Sequence, residues 1–436
     1  MIRLTGATVL TPDVEHPQGV LCMDGKRIVY AGPAAGAPPA APDDEVVDLP
    51  GRAVIPGFVN PHTHLAMQLM RGIADDVALQ PWLQEHIWPV EERMGEEGGA
   101  LEQHVLAGSR LALLEAVAAG VTAVNDMYMA MDRVAEAIGE AGIRGVITRG
   151  IVGHTDPERR KLRLGRELYE RWQGAYGGRI QVALGPHAPY TCSMDYLGEV
   201  AQAAHDLGAR IHIHLAETHQ ETADLAAQGL TPAHVLLDSG LSRQHVIAAH
   251  YVAPAESDFA LLEHMHVGIA HCPISNLKLG CGFAPVARLR EHGIPVGIGS
   301  DGAASANVLD PFLGMKAAAW MAKGNSQDPT QLPARTVLRM ATYEGALALD
   351  LNDVGLLAPG YQADVVVVDL RATHLQPVFD VFSALVYTAT ARDVERVYAS
   401  GKLIYQEGRH LAVDREAILA EARGAAERVT QQALRS

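Results

Sequence analysis

From residue 52 to residue 302 the chain alternates short runs rich in Val, Ile and Ala with longer stretches of Ala, Leu and Glu, the texture of strands followed by helices. Eight runs stand out: RAVIPGFVN (52–60), VTAVNDM (121–127), RGVITRG (144–150), IQVALGPH (180–187), RIHIHLAE (210–217), HVIAAHY (245–251), VGIAHCP (267–273) and PVGIGSDG (295–302). Eight alternating units of this kind predict an α/β fold, a closed parallel (β/α)8 TIM-like barrel rather than an open sheet. The later units recur at intervals of roughly 20–40 residues, as strand–helix repeats should. Only the first interval is longer, so residues 65–120 must hold extra structure. Within it, LAMQLMRGIADDVALQPWLQEHIWPVEERM, with Trp82 and Trp88, reads as an insertion over the barrel mouth.

Both ends of the chain have a different texture. Met1 to Leu10 and GVLCMDGKRIVYAG read as strands, the latter a hairpin turning at Asp24-Gly25. ADVVVVDL (363–370) and VERVYASGKLIYQEG (394–408) repeat the style, with a turn at Ser400-Gly401. Neither end alone has enough apolar strand to cover both faces of a sheet, so the two are expected to share one small β-sandwich domain. The expected layout is residues 1–56 as its N-terminal part, 57–355 as the barrel, and 356–436 as its C-terminal part plus a terminal helix. That helix, from Asp414 to about Leu434, is amphipathic and is expected to lie on the sheet, while AGPAAGAPPAAPDDE (31–45) reads as an exposed loop.

Composition narrows the function. With 35 basic and 51 acidic side chains the formal net charge is -16, which argues against a surface built for nucleic acid. No apolar run is long enough to span a membrane and no signal peptide is evident, so a cytoplasmic protein is expected. Cys22, Cys192, Cys272 and Cys281 fall in no paired spacing and suit a reducing compartment. Twenty histidines beside only six lysines raise the question of a metal.

His-x-His occurs three times, at His62/His64, His212/His214 and His264/His266, and composition alone would produce about one such pair, so position must decide. In a parallel barrel, chemistry sits at the C-terminal ends of the strands. His264 and His266 precede a strand and read as floor or surface residues. His62 and His64 follow the first strand and, two apart in extended chain, point to the same side, where they can grip one ion. His214 ends the fifth strand and reads as a third ligand, with His212 left as a barrel-interior residue. Asp301 ends the last strand as a ligand or a helix N-cap, and with three histidines aimed at the same mouth ligation is the favoured reading. Three imidazoles and a carboxylate suit one divalent metal: zinc first, with iron or manganese tolerated. A two-metal site bridged by a modified lysine would need a lysine ending a middle strand, but Lys161 lies in PERRKLRLGRE, which reads as helical and solvated.

A metal so held lowers the pKa of water from about 15.7 toward roughly 7. Proton movement then needs further groups. Glu217, three residues past His214, is placed to carry a proton to a ring nitrogen and a leaving amine, or else is a first-turn glutamate. His250, ending the sixth strand, is placed to hydrogen-bond the attacking water, or else is a satisfied core histidine. Asp301 can take the water's proton with its second oxygen. His187, Glu91 and Arg149 read as substrate contacts, although for Glu91 and Arg149 a surface ion pair fits the spacing nearly as well. GIGSDG lacks the pattern of a phosphate loop, and Cys272 has no evident base and reads as an inert buried thiol.

Taken in order, PGFVNPHTH, RGIADDVALQPWLQEHIWPVE, LGPHAPYT, HIHLAET, HCPISNLKLG, GIGSDGAASAN and GYQADVVVVDL resemble the amidohydrolase superfamily over nearly the whole chain, in particular its 5′-methylthioadenosine/S-adenosylhomocysteine deaminase branch. The resemblance implies a metal on His62, His64, His214 and Asp301, Glu217 and His250 as catalytic partners with Glu217 reaching the substrate's ring nitrogen, and substrate contacts from Glu91 and His187. It also implies an arginine for a substrate carboxylate, with Arg149, Arg160 and Arg163 all in range. The implied reaction is hydrolytic deamination at the purine C6 of methylthioadenosine, S-adenosylhomocysteine or adenosine, with guanine, cytosine, pterin or triazine hydrolysis as the alternative. A non-catalytic binding protein is the remote alternative. The expected partners are a small purine nucleoside and further copies of the chain, as a dimer or tetramer.

Overall fold

The computed structural model describes residues 1–12, 14–94 and 101–433. Eight parallel strands, Phe58–Thr63, Val121–Tyr128, Arg144–Ile151, Ile180–Pro186, Arg210–Leu215, Val246–His250, Val267–His271 and Val296–Ile298, pair in that order around a nearly closed barrel. Loop and side-chain hydrogen bonds, rather than a strand ladder, close the seam between last and first. Asp301 N donates to His62 O at 3.0 Å, Thr63 Oγ1 to Asp301 O at 3.2 Å, and Asn60 Nδ2 to Ser300 Oγ at 2.7 Å. The opposite end is packed with Ala346, Leu349, Leu351 and Val354 against Val59, Ala123, Val146, Ala183 and Ile247, which closes the barrel interior on that side.

The run 52–60 is two strands rather than one. Arg52–Pro56 pairs antiparallel with Val365–Asp369 in the terminal sheet, and only Phe58–Thr63 enters the barrel. Gly57 makes the crossing: a Cβ there would lie 2.1 Å from Thr122 Oγ1. Nine strands from both ends of the chain form a single hydrogen-bonded sheet. Ile2–Leu10 changes partner along one edge, from Glu45–Asp48 to Arg52–Pro56, and its ladder with Glu15–Asp24 is irregular around Ala7. The sheet folds over a core of Leu4, Leu21, Met23, Ile28, Val365, Val367 and Tyr398, while Val366 and Val368, pointing the other way, join the core shared with the barrel. Four consecutive valines are therefore all buried.

Because both faces of that sheet are already covered, the C-terminal helix Arg415–Ala433 does not lie on it as its amphipathic pattern suggested. It packs instead on the barrel helix Glu102–Ala118, burying Ile418, Ala422, Ala425 and Val429 and pairing Glu421 with Arg110 at 3.0 Å. Leu434, the expected end of this helix, lies outside the described residues. The long first interval holds short helical turns, Leu65–Met70, Leu79–Pro81, Trp82–Ile87 and Trp88–Met94, which reach the barrel mouth. All four cysteines are buried and unbonded, and no described helix is long and apolar enough to cross a membrane.

Candidate metal centre and substrate cavity

Three imidazoles are turned inward by bonds on their outer nitrogens. His62 Nδ1 lies 2.9 Å from His212 Nε2, His64 Nδ1 is 2.6 Å from Met127 O, and His214 Nδ1 is 2.8 Å from His187 O. Such partners fix the tautomer that leaves Nε2 free to bind a cation. The three Nε2 atoms and Asp301 converge: His64 to His214 is 3.3 Å, His64 to Asp301 Oδ1 is 3.3 Å, and His62 to Asp301 Oδ1 is 3.5 Å. Ligands placed 2.0–2.1 Å from a tetrahedral ion would be separated by about 3.3–3.4 Å. His62 Nε2 is fully buried without a hydrogen-bond partner, an orphan that an ion would satisfy. The residues present therefore fit a divalent metal.

Asp301 is not the N-cap of the following turn, a place taken by Gly302. Its Oδ2 accepts from Ser275 Oγ at 2.6 Å and Ser305 Oγ at 2.8 Å, and its Oδ1 from Gly302 N at 2.7 Å. Burial pushes its pKa upward, but the imidazoles of His62, His64 and His250 around it hold it well below the usual range, so it is ionised. His62 is driven down to about 3 by burial, leaving a neutral imidazole as ligation requires.

His250 and Glu217 stand beside this cluster with His250 Nε2 3.7 Å from Glu217 Oε1, and His250 Nδ1 is held by Asn276 Oδ1 at 3.0 Å. His250 Nε2 also lies within 4.8 Å of the ligand atoms of His62 and His214, so it faces the metal position directly. Burial raises the pKa of Glu217; the charge of His250 opposes this and that of Asp301 adds to it. For His250 the carboxylates of Glu217 and Asp301 outweigh burial and raise its pKa. The backbone here is strained: Ala216, His250, Tyr251 and Asp301 all have positive φ, at 52°, 75°, 50° and 62°. Left-handed conformations in residues other than glycine cost about 1–3 kcal/mol each and cluster at functional sites.

One cavity of about 210 Å³ opens from the cluster. His64, His187, His214, Glu217, His250 and Asp301 form one end of its lining, with Met67, Leu79, Trp82, Leu83 and Trp88 of the insertion as a largely apolar wall. Glu91 is buried in this wall, which pushes its pKa up to about 7 against the effect of the nearby Tyr128 hydroxyl. His187 Nδ1 lies 3.1 Å from Thr191 Oγ1. Arg149 also lines the cavity, whereas Arg160 and Arg163 are exposed outside it. Lys161 does not fit its solvated reading: its helix, Arg160–Trp172, is present, but this first-turn residue faces the cavity, with Nζ donating to Thr155 Oγ1 at 2.5 Å. Tyr128, Tyr190 and His154 are further lining residues that sequence reasoning did not select, since no spacing marks them. His212 is buried behind His62, and His264 and His266 are exposed before the seventh strand.

Residues 53–404 match the amidohydrolase family model. The chain is 43% identical over 435 residues, 99% of each chain, to a 5-methylthioadenosine/S-adenosylhomocysteine deaminase of Pelotomaculum thermopropionicum. It is 41% identical over 431 residues, 98% of this chain and 97% of the other, to a 5′-deoxyadenosine deaminase of Methanococcoides burtonii. Its fold superposes on a zinc-bound adenosine deaminase from Xanthomonas campestris with a TM-score of 0.92 at 35% identity, covering 99% of this chain and 98% of that one. Matched along most of its length by the family model and nearly end to end by these relatives, the chain belongs to the amidohydrolase family.

Proposed function

We propose that the protein removes the 6-amino group of adenosine-type nucleosides by hydrolysis, with 5′-methylthioadenosine and S-adenosylhomocysteine as first substrates and adenosine also accepted, and that zinc is its metal. The observation that carries this reading is the arrangement of one buried carboxylate, Glu217, beside His250 at the edge of a three-histidine, one-aspartate cluster in a single apolar-walled cavity. The donor set and the zinc in the Xanthomonas structure support the choice of metal. A divalent ion held by His62, His64, His214 and Asp301 would supply Lewis acidity and a water acidic enough to attack at neutral pH.

Around it the side chains divide the work. Asp301, ionised and held by two serines, and His250, whose Nε2 faces the same point, are the groups that accept a proton from the attacking water. Glu217, its pKa raised by burial, is placed to donate a proton to the ring nitrogen as C6 becomes tetrahedral; the proton given up by the water, relayed through His250 3.7 Å away, recharges it for transfer to the departing amine, and the proton of the C6 hydroxyl restores it as the carbonyl forms. Ammonia and the inosine analogue result. His187 contacts the purine, and Glu91, across the cavity in the insertion, accepts from the ribose hydroxyls. The apolar wall suits a thioether, and Arg149 faces the same cavity from the third strand for a charged 5′ tail. Incubating zinc-loaded protein with methylthioadenosine, S-adenosylhomocysteine and adenosine, while following the adenine-to-hypoxanthine absorbance change and ammonia release, tests the reading. Turnover of at least one is expected; no change with any of the three would overturn it.

A further inference from the structure

Glu221 belongs to no part of the site described so far. It sits one helical turn beyond Glu217, 5% exposed, and does not line the cavity. Its two carboxylate oxygens are both engaged by backbone: Oε1 accepts from Ala216 N at 2.8 Å and Oε2 from Glu217 N at 3.0 Å. Its own backbone N–H donates to Thr218 Oγ1 at 3.1 Å, which caps the helix His219–Ala227. A side chain reaching back over the turn that its own helix starts from is the logic of a capping box, here directed at two successive N–H groups.

Those N–H groups belong to a strained turn. Ala216 has φ 52°, a left-handed conformation that an alanine adopts only when its surroundings impose it. The constraint acts from both sides. On the carbonyl side, Ala216 O accepts from Val252 N at 2.8 Å and Ala253 N at 3.0 Å, which ties it to the chain leaving the sixth strand. On the amide side, Glu221 supplies the restraint. The turn fixes where the next side chain points, and that side chain is Glu217, with Oε1 3.7 Å from His250 Nε2.

We infer that Glu221 is a positioning residue for the reaction: its carboxylate, by gripping the Ala216 and Glu217 amides together, holds the strained turn that aims Glu217 at the substrate. The inference rests on the proton-transfer role proposed for Glu217. A glutamine would not reproduce this grip, because each N–H is held by its own carboxylate oxygen and an amide in the same orientation sets its NH2 against one of the two donors. Misplacing a reacting group by about 1 Å costs up to about 100-fold in rate.

The test compares zinc-loaded Glu221→Gln, Glu217→Gln and the double variant Ala216→Gly/Glu221→Gln with the parent protein on the same nucleoside. For Glu221→Gln, kcat is expected to fall about 10- to 100-fold, KM to stay within about threefold, zinc content to be unchanged, and the solvent deuterium isotope effect on kcat to grow as proton delivery becomes limiting. Glycine at 216 relieves the left-handed strain, so the double variant regains thermal stability but stays slow. That separates positioning from folding, and the double variant carries the test should the single one not fold. A Glu221→Gln variant with kcat within about twofold of the parent, or a double variant whose rate returns with its stability, overturns the inference. Full turnover by Glu217→Gln would overturn the proton-transfer reading itself, a separate failure.

Discussion

The strand ends and the insertion that roofs them meet in one cavity, yet they are built on opposite principles. At the strand ends, His62, His64 and His214 each have the outer nitrogen tied down, to His212 or to a backbone carbonyl, and Asp301 is held by two serines and an amide. Position is enforced by hydrogen bonds that a rigid barrel cannot relax. In the roof, Met67, Leu79, Leu83 and the two tryptophans present apolar surface on short helical turns, including a π-helical one at Trp82–Ile87, with Glu91 buried among them. In the proposed function, tight geometry would serve bond-making at one carbon and an apolar, less regular wall would enclose whatever hangs from the ribose. Chemistry and specificity are thereby placed on different elements, and each can be perturbed without the other.

The largest effect should come from the strand ends. His214→Ala is expected to lose the bound metal and, with it, turnover, and chelation of the parent protein should do the same until metal is restored. His264→Ala, removing the first histidine of the exposed pair at the floor, should leave metal content and rate unchanged and alter stability by no more than about 0.5 kcal/mol. Elemental analysis and unfolding curves decide it. An inactive His264→Ala or an active, metal-loaded His214→Ala would erase the distinction between the two His-x-His pairs.

This contrast also explains what could be read from the chain beforehand. Strand ends are legible because a parallel barrel sends its chemistry to one end and alternation along a strand sends His62 and His64 to one side. That logic separated His214 from His266 without any coordinates. It is weaker where two sheets share one apolar run: RAVIPGFVN reads as one continuous strand although the expected domain boundary at 56/57 falls inside it, because Gly57 acts through Thr122, which is distant in sequence. The terminal helix is a further limit of this kind, because an amphipathic stripe shows that a face is buried but not which surface receives it. Lys161 reads as solvated because its neighbours Arg159, Arg160 and Arg163 are charged, although one residue of a helical turn faces the cavity while the next does not.

Glu91 tests the roof more gently. Its carboxyl is ordinary in the unfolded chain, near 4.5, and raised to about 7 in the folded one by burial. Between those values the folded protein keeps a proton that the unfolded chain has released, so stability falls as pH rises through that window. The penalty is absent below the unfolded value and complete above the folded one, about 3 kcal/mol in all for a shift of this size. Glu91→Gln should therefore be more stable than the parent above pH 7 and equal to it in acid, while KM rises if the carboxylate meets the ribose. Denaturant unfolding at a series of pH values checks the first part and steady-state kinetics the second. A pH-independent difference in stability would mean that Glu91 is not buried in its neutral form.

Lys161 offers the finest division between chemistry and specificity. Its ammonium lies on the cavity lining beside Thr155 and 3.4 Å from Val152 O, away from the strand-end cluster. Removing it should leave kcat for methylthioadenosine, an uncharged nucleoside, untouched. S-adenosylhomocysteine carries a carboxylate, and a partly solvated ion pair of this kind contributes about 1 kcal/mol at most, or about a fivefold rise in KM. Lys161→Ala is accordingly expected to raise the KM for S-adenosylhomocysteine severalfold more than that for methylthioadenosine, and the gap should shrink as salt is added, because screening weakens the same interaction in the parent. Equal changes for both nucleosides would assign Lys161 to shaping the cavity wall rather than reading charge. A fall in kcat for both would mean that this side of the cavity and the strand ends are coupled after all.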